Sequence, residues 1–116
     1  MGGEPLAAVV SAGMTRFGRL EGYSARELFA MAFKEALERC PELDPRRDID
    51  AVFVGNMAGE AWEHQGHWGA ICADWVGLTP RPATRFENAC ASSGAAFRCA
   101  VMACLLYTSP RPRDRG

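Results

Sequence analysis

The sequence predicts an α/β fold with a parallel sheet and flanking helices. Short apolar runs, two of them closed by glycine, alternate with longer segments in which apolar residues recur every three or four positions. This order of strand, helix, strand, helix, strand and helix is typical of parallel sheets with right-handed crossovers. The length of 116 residues, with 48% hydrophobic and 23% charged residues, indicates one modest globular domain.

Three short segments have the character of buried strands. Leu6–Gly13 and Ala51–Gly55 are apolar runs that end in glycine. The third strand, Ala83–Asn88, follows the breaker sequence TPRP. We expect all three to lie in the same sheet.

The first helix is predicted from its start signal as well as from its periodicity. Ser24 and Glu27 form the sequence SARE, a capping box in which each side chain bonds to the backbone of the other residue. An apolar face then recurs as far as Cys40, and Pro41 follows the expected end.

Two further helices are predicted in the second half of the chain. One begins near His67 and stops at Gly77, with an apolar face in the sequence HWGAICADWVGL. The other begins just after Cys90 and runs through Phe97 and Val101. The polar sequences MTRFGRLEGY, PELDPRRDID and the start of NMAGEAWEHQG are expected to be loops.

Charge and cysteine content exclude several classes of protein. The net charge of −1 gives no reason to expect a nucleic acid or an anionic membrane as partner, and no apolar run approaches the roughly 20 residues of a membrane span. The N-terminus lacks the basic region of a signal peptide, so we expect a cytoplasmic protein. Five cysteines without a CxxC pair predict reduced thiols instead of disulfides or a zinc site: Cys40, Cys72, Cys90, Cys99 and Cys104.

Cys90 differs from the other cysteines in its sequence context. It stands between a predicted strand and a predicted helix and is followed by the small residues ASSGAA. Unpaired amides at a helix start favour the thiolate form of a nearby cysteine and can stabilise an oxyanion. Small residues leave room for an acyl group, and Gly94 permits close approach of another backbone. By this reasoning alone, a nucleophile and a structural cysteine remain equally good interpretations.

Several blocks of the sequence resemble the thiolase family. ENACASSGAA resembles its nucleophile segment, and VVSAGMTRFGRLEGYSARELFAMAFKEALE is similar to the opening strand, loop and first helix of sterol-carrier-protein-type thiolases and of archaeal and bacterial acetyl-CoA acetyltransferases. IDAVFVGNMAGE resembles their second strand, and QGHWGAICADWVGLTPRPATRFENACASSGAA resembles the segment before the cysteine. The blocks occur in family order and extend from Leu6 to Ala103.

The resemblance implies a partial, N-terminal half of a thiolase-like fold and an acyltransferase of lipid metabolism. Cys90 would be the acylated nucleophile, and its own amide would serve an oxyanion hole. Acyl-CoA and CoA would be substrates, with no bound cofactor and no metal, and the full-length protein would be a homodimer or homotetramer. The family's histidine base, second cysteine and asparagine–water site come from a later half, so the chain alone would be inactive.

Other interpretations remain open at this point. A ketosynthase or a hydroxymethylglutaryl-CoA synthase relative would share the cysteine and the fold, and a non-catalytic subunit would share the fold only. His64 and His67 stand near two glutamates, but this spacing is weak evidence for a metal site or a base. The resemblance also implies that Arg85 and Glu87 lie near a dimer interface.

The C-terminal segment differs in composition from the rest of the chain. CLLYTSPRPRDRG contains two prolines and three arginines, and it resembles a translated transposase adapter used in sequencing-library preparation, with Arg111 in place of the usual serine. We therefore expect residues 1–103 to be a truncated thiolase N-terminal domain and residues 104–116 to be a non-native tail. On this interpretation the natural reading frame continues past Ala103.

Overall fold

The computed structural model describes Gly3 and residues 5–106 of the chain. In chain order, the described residues form the helices α1 and α2, the strand β1, the helices α3 and α4, the strand β2 and the helix α5. Their bounds are α1 Ala25–Arg39, α2 Pro45–Asp48, β1 Val52–Gly55, α3 Gly59–Glu63, α4 Trp68–Trp75, β2 Ala83–Phe86 and α5 Ser92–Leu106.

The two strands form a parallel ladder, as the sequence predicts for this part of the fold. Val52 is paired with Ala83 at one end, and Gly55 is paired with Phe86 at the other. The Asn56 amide extends the ladder by donating to the Phe86 carbonyl at 3.0 Å. Because the strands are parallel, the loops after β1 and after β2 emerge at the same edge of the sheet.

The core lies between β1 and α4. Val52 and Val54 alternate toward this side and are buried, as expected for a strand with a period of two. They pack in one cluster with apolar residues from α4 and the turn after it: Trp68, Cys72, Ala73 and Leu78. Gly77 ends α4 with a φ of +76°, a conformation that glycine adopts at little cost.

Helix α1 covers this core from outside and begins where the sequence predicts. Ser24 accepts a hydrogen bond from the Glu27 amide, and the Glu27 side chain accepts from the Ser24 amide, so both halves of the capping box are present. Phe29 and Phe33 stack with ring centroids 6.4 Å apart and pack against the core cluster. The apolar periodicity of α1 is thus used for burial against α4 and β1.

The predicted strand at Leu6–Gly13 is wrong for this structure. The segment has no strand assignment, and its side chains at Leu6, Val9 and Val10 are exposed. Its start, from Leu6 to Val9, lines a cavity with residues of α5, and its end contacts α1, since the Ser11 hydroxyl donates to the Ala36 carbonyl at 2.7 Å. An apolar run becomes a strand only when a ladder partner satisfies its backbone, and the run itself does not specify that partner.

Two short helices occur where the sequence analysis expects loops. Helix α2 is favoured by Asp44, whose side chain accepts from the Arg46 amide, and by Pro45 in the first turn. Helix α3 follows a turn in which the Asn56 side chain accepts from the Gly59 amide at 2.8 Å. Local side-chain bonds of this kind give helical turns without an apolar periodicity.

Helix α5 extends beyond Val101, the last residue named in the sequence prediction, and it is strongly apolar. The stretch Ala89–Leu106 has a mean hydropathy of 1.6 and is long and apolar enough to cross a membrane by those criteria alone, contrary to the expectation from the sequence that no apolar run approaches that length. In this structure 11% of the stretch is buried, and one such helix is weak evidence for a membrane span. The helix continues past Ala103, the expected end of the native sequence, as far as Leu106. The arginine-rich tail, residues 107–116, lies outside the described residues, so its origin stays a prediction.

Candidate active site

The Cys90 thiol lies at the turn that leads from β2 into α5. The strand ends at Phe86, the helix begins at Ser92, and Cys90 is exposed between them with a free thiol. This is the strand, turn and helix setting that the sequence predicts for this cysteine. The turn lies at the sheet edge from which the loop after β1 also emerges.

The residue before Cys90 has an unusual backbone conformation. Ala89 has a φ of +47°, in the left-handed region that side chains with a Cβ rarely adopt. Two backbone bonds close the turn around it, since the Ala91 amide donates to the Asn88 carbonyl at 2.9 Å and the Ser92 amide donates to the Ala89 carbonyl at 3.2 Å. These two amides are therefore engaged within the turn.

Ser92 is a residue of this site that the sequence analysis did not single out. Its side chain is buried, with 5% of the residue exposed. Its hydroxyl accepts from the Asn88 amide at 2.8 Å and donates to the Ala89 carbonyl at 2.7 Å. The sequence shows only a small polar residue two positions after the cysteine, so the pattern alone could not distinguish it from Ser93.

Small residues let α5 approach the end of β1 closely. A Cβ atom placed on Gly55 would lie 2.6 Å from the Ser92 carbonyl group and from the Ser93 Cα atom. By contrast, no described atom lies within 4 Å of a Cβ placed on Gly94. The close backbone approach that the sequence predicts at Gly94 occurs at Gly55 instead.

Arg85 ties the strand before Cys90 to the loop after β1. Its guanidinium donates to the Asn56 carbonyl at 2.8 Å and to the Met57 carbonyl at 3.2 Å, and it pairs with the Glu60 carboxylate. The hydrogen bond from Arg85 holds the pKa of Glu60 below its ordinary value. The Arg85 side chain thus bonds to its own chain; the predicted interface role of Arg85 and Glu87 stays a prediction.

The two histidines occupy turns on either side of a loop. His64 follows α3 and His67 precedes α4, and both have positive φ values, of 52° and 55°. The neighbouring carboxylates serve other partners: Glu60 pairs with Arg85, and Glu63 accepts from the Ala25 amide at 2.9 Å. In the part of the chain that the structure describes, no three His, Cys, Asp or Glu side chains form a group that could hold a metal.

Three of the other four cysteines are less exposed than Cys90, and the fourth, Cys104, is exposed near the end of α5. Cys72 is buried in the core, and this burial raises the pKa of its thiol to about 11. Cys40 ends α1, where its thiol donates to the Glu42 carboxylate at 3.4 Å, and that bond raises the Cys40 pKa. Cys99 is half-buried on α5. A raised pKa keeps a thiol in its unreactive neutral form, so Cys72 is poorly suited to nucleophilic chemistry.

The described residues form a parallel α/β unit in which a turn that contains Cys90 joins a strand to an apolar helix. This arrangement is the one expected of a thiolase-type acyltransferase domain. The sequence matches the family model of the thiolase N-terminal domain over residues 7–105. The chain therefore belongs to the thiolase family, as its sequence blocks predict.

Two curated relatives are acetyl-CoA acetyltransferases of methanogenic archaea. The one from Methanothermobacter thermautotrophicus is 41% identical over 96 residues, and the one from Methanocaldococcus jannaschii is 40% identical over 95 residues. These matches cover 83% and 82% of this chain but 24% of each relative. The chain thus spans about a quarter of the length of these relatives.

Proposed function

We propose that Cys90 is the nucleophile of a thiolase-type acyltransferase that accepts an acyl group from a coenzyme A thioester. The observation that carries this proposal is the exposed thiol at the turn between β2 and α5. The names of the two archaeal relatives support acetyl-CoA as the donor. Family membership supports the thiolase reaction over the ketosynthase and hydroxymethylglutaryl-CoA synthase alternatives.

The first half-reaction forms a thioester on Cys90. The deprotonated sulfur attacks the carbonyl carbon of acyl-CoA, the new bond from sulfur to the acyl carbon forms, and the bond from that carbon to the CoA sulfur breaks. The released CoA thiolate takes up the proton that the Cys90 thiol gave up. During the attack the carbonyl oxygen carries negative charge, and we assign the Cys90 amide as one of its hydrogen-bond donors.

The second half-reaction returns Cys90 to its thiol form. In condensation, the carbanion at C2 of a second acyl-CoA attacks the acyl carbon on Cys90, so that a carbon–carbon bond forms, the bond from that carbon to the Cys90 sulfur breaks, and a 3-ketoacyl-CoA and the Cys90 thiolate result. In the reverse direction, the Cys90 sulfur attacks the keto carbon of a 3-ketoacyl-CoA, the bond between C2 and C3 breaks, and the C2 carbanion leaves and is protonated to acyl-CoA. The acyl group on Cys90 then passes to the sulfur of free CoA, and the Cys90 thiolate is released. Both directions need a base that removes and returns a proton.

Completion of this cycle requires a protein of the relatives' full length. The structure pairs neither histidine with the Cys90 thiol by a hydrogen bond within the described residues, and His64 and His67 lie at the ends of other helices. A thiol without a positioned base and a second proton-transfer group cannot complete Claisen chemistry. We therefore assign the activity to the full-length protein and expect none from the 116-residue chain alone. On the family resemblance and the free cysteines, we propose that the full-length protein is a cytosolic homodimer or homotetramer.

Trapping of the acyl-enzyme tests this proposal. The full-length protein is mixed with acetyl-CoA and quenched in acid, and the peptide that carries Cys90 is examined by mass spectrometry for an acetyl group. C90S should abolish both the acetyl group and acetoacetyl-CoA thiolysis, whereas C99S, a matched change on α5, should retain both. Thiolysis by C90S, or acetylation of a different cysteine in the wild type, would overturn the assignment.

Two further measurements separate an enzyme from a non-catalytic subunit. Iodoacetamide should modify Cys90 faster than the buried Cys72, and acetyl-CoA should protect Cys90 from modification. The purified 116-residue chain should show no acetoacetyl-CoA thiolysis under conditions in which the full-length protein turns over. Turnover by the short chain would show that the residues supplied by a later half are not required.

A further inference from the structure

Ser92 places a buried hydroxyl directly beneath the Cys90 turn. It lies in the first turn of α5, two residues after Cys90, and only 5% of the residue is exposed. A buried hydroxyl is costly unless its donor and acceptor capacity is used, so its partners indicate what the residue does.

Both partners of this hydroxyl belong to the two residues that precede Cys90. The Asn88 amide donates to Ser92 Oγ at 2.8 Å, and Ser92 Oγ donates to the Ala89 carbonyl at 2.7 Å. The hydroxyl thus bridges a donor on one side of Ala89 and an acceptor on Ala89 itself. Its single proton is committed to the backbone, and its burial keeps substrate away from it.

The bridged residue is the one whose backbone is strained. Ala89 has a φ of +47°, which is unfavourable for a residue with a Cβ and persists only where surrounding bonds hold it. Two other bonds also hold Ala89, since its amide donates to the Glu87 carboxylate at 2.7 Å and its carbonyl accepts from the Ser92 amide at 3.2 Å. Removal of the hydroxyl bridge therefore weakens the restraint on Ala89 and lets it relax toward negative φ. Because Cys90 is the next residue, such a rotation would move both its sulfur and its amide.

We propose that Ser92 is a positioning residue that fixes the orientation of the Cys90 thiol and amide for acyl transfer, by holding Ala89 in its left-handed conformation. This inference rests on the proposed function of Cys90. Ser92 acts through the backbone of Asn88 and Ala89 and does not itself touch the substrate. Its loss is expected to slow the chemical step while leaving the binding of the CoA thioester nearly unchanged.

The test compares three variants of the full-length protein. S92A removes the bridging hydroxyl, S92T keeps a hydroxyl on the same Cβ, and S93A removes the hydroxyl from the exposed neighbouring serine as a matched control. The readouts are the rate of Cys90 acetylation by acetyl-CoA, kcat and KM for acetoacetyl-CoA thiolysis, and the pH profile of Cys90 alkylation by iodoacetamide.

We expect S92A to lower the acetylation rate and kcat by about 100-fold, the effect of a misplacement on the order of 1 Å, with KM changed less than about 3-fold. The alkylation pH profile of S92A should differ from that of the wild type, because the amides and the thiol no longer keep their relative orientation. S92T should recover most of the rate, and S93A should match the wild type.

A double variant with a second change at Ala89 serves as the control for loss of folding in S92A. The double variant S92A/A89G removes the hydroxyl but lets position 89 adopt positive φ without strain. It should fold even if S92A does not, and should still acetylate slowly, because glycine permits the required conformation without fixing it. Wild-type acetylation rates in S92A, or equal acetylation rates in S92A/A89G and in A89G alone, would overturn the role of Ser92. Failure of the wild type to acetylate on Cys90 would instead overturn the proposed function.

Discussion

Replacing Gly55 by alanine tests how closely α5 must approach β1 for the Cys90 turn to form. The added Cβ would lie 2.6 Å from the Ser92 carbonyl group and from the Ser93 Cα, whereas ordinary contact begins at 3.4 Å. All of these atoms are backbone, so no side chain can rotate away. The first turn of α5 must therefore retreat from β1 by about 0.8 Å, the difference between these two distances.

The retreat has an energetic and a functional consequence. Overpacking of this kind typically costs about 1–3 kcal/mol, and we expect G55A to lower the free energy of unfolding by about 2 kcal/mol. Because Ser92 moves with the first turn, its bonds to Asn88 and Ala89 lengthen and Cys90 shifts. A displacement close to 1 Å can slow a reaction by about 100-fold, so the acetylation of Cys90 should fall more than stability alone explains.

The assay is urea unfolding of the full-length protein, followed by circular dichroism, with Cys90 acetylation measured in the absence of urea. G94A provides the matched control, because Gly94 lies in α5 with open space around its would-be Cβ. Alanine is the better helix former by up to about 1 kcal/mol, so G94A should leave stability unchanged or raise it. A G55A protein with wild-type stability and wild-type acetylation would refute the packing argument.

Two predictions concern stability away from the Cys90 turn. The pKa of Cys72 rises from its ordinary 9.0 to about 11 on folding, so the folded protein holds the proton more tightly and loses about 2 kcal/mol of stability as pH rises from 9 to 11. Urea unfolding at pH 8 and pH 11 should show this loss in the wild type but not in C72A; equal losses would contradict it. S24A should lower stability by about 1 kcal/mol by removing the N-cap bond of α1, and S24T should retain most of it. Thermal unfolding checks this pair, and an S24A protein as stable as S24T would show that the capping box contributes nothing measurable.

Elements with local signals were predictable from the sequence to within a few residues. The capping box of Ser24 and Glu27 starts α1 because its bonds join residues three apart. The runs at Val52–Gly55 and Ala83–Phe86 form parallel strands, and α5 begins two residues after Cys90, as predicted. The short helices α2 and α3 were missed because they depend on one or two local side-chain bonds and not on apolar periodicity.

Of the residues in the candidate site, some were predictable from the sequence and others were not. Cys90 could be selected from its sequence context and its family resemblance, and the structure places it in the predicted setting. Ser92 could not be selected, since nothing in the pattern distinguishes it from Ser93. Arg85 was singled out for an interface, but nothing in the pattern shows that it bonds to a loop about 30 residues earlier in the chain.

The sequence by itself determined the family, the starts of α1, α4 and α5, the two strands and the cysteine, because each depends on residues that are close together along the chain. The tertiary structure alone decided that Leu6–Gly13 lies against α5 and α1 without a strand partner, that α5 approaches Gly55, and that a buried serine bonds to the turn before Cys90. These features depend on which distant backbone groups meet in the folded chain. Whether a residue is apolar or polar does not specify its distant partner.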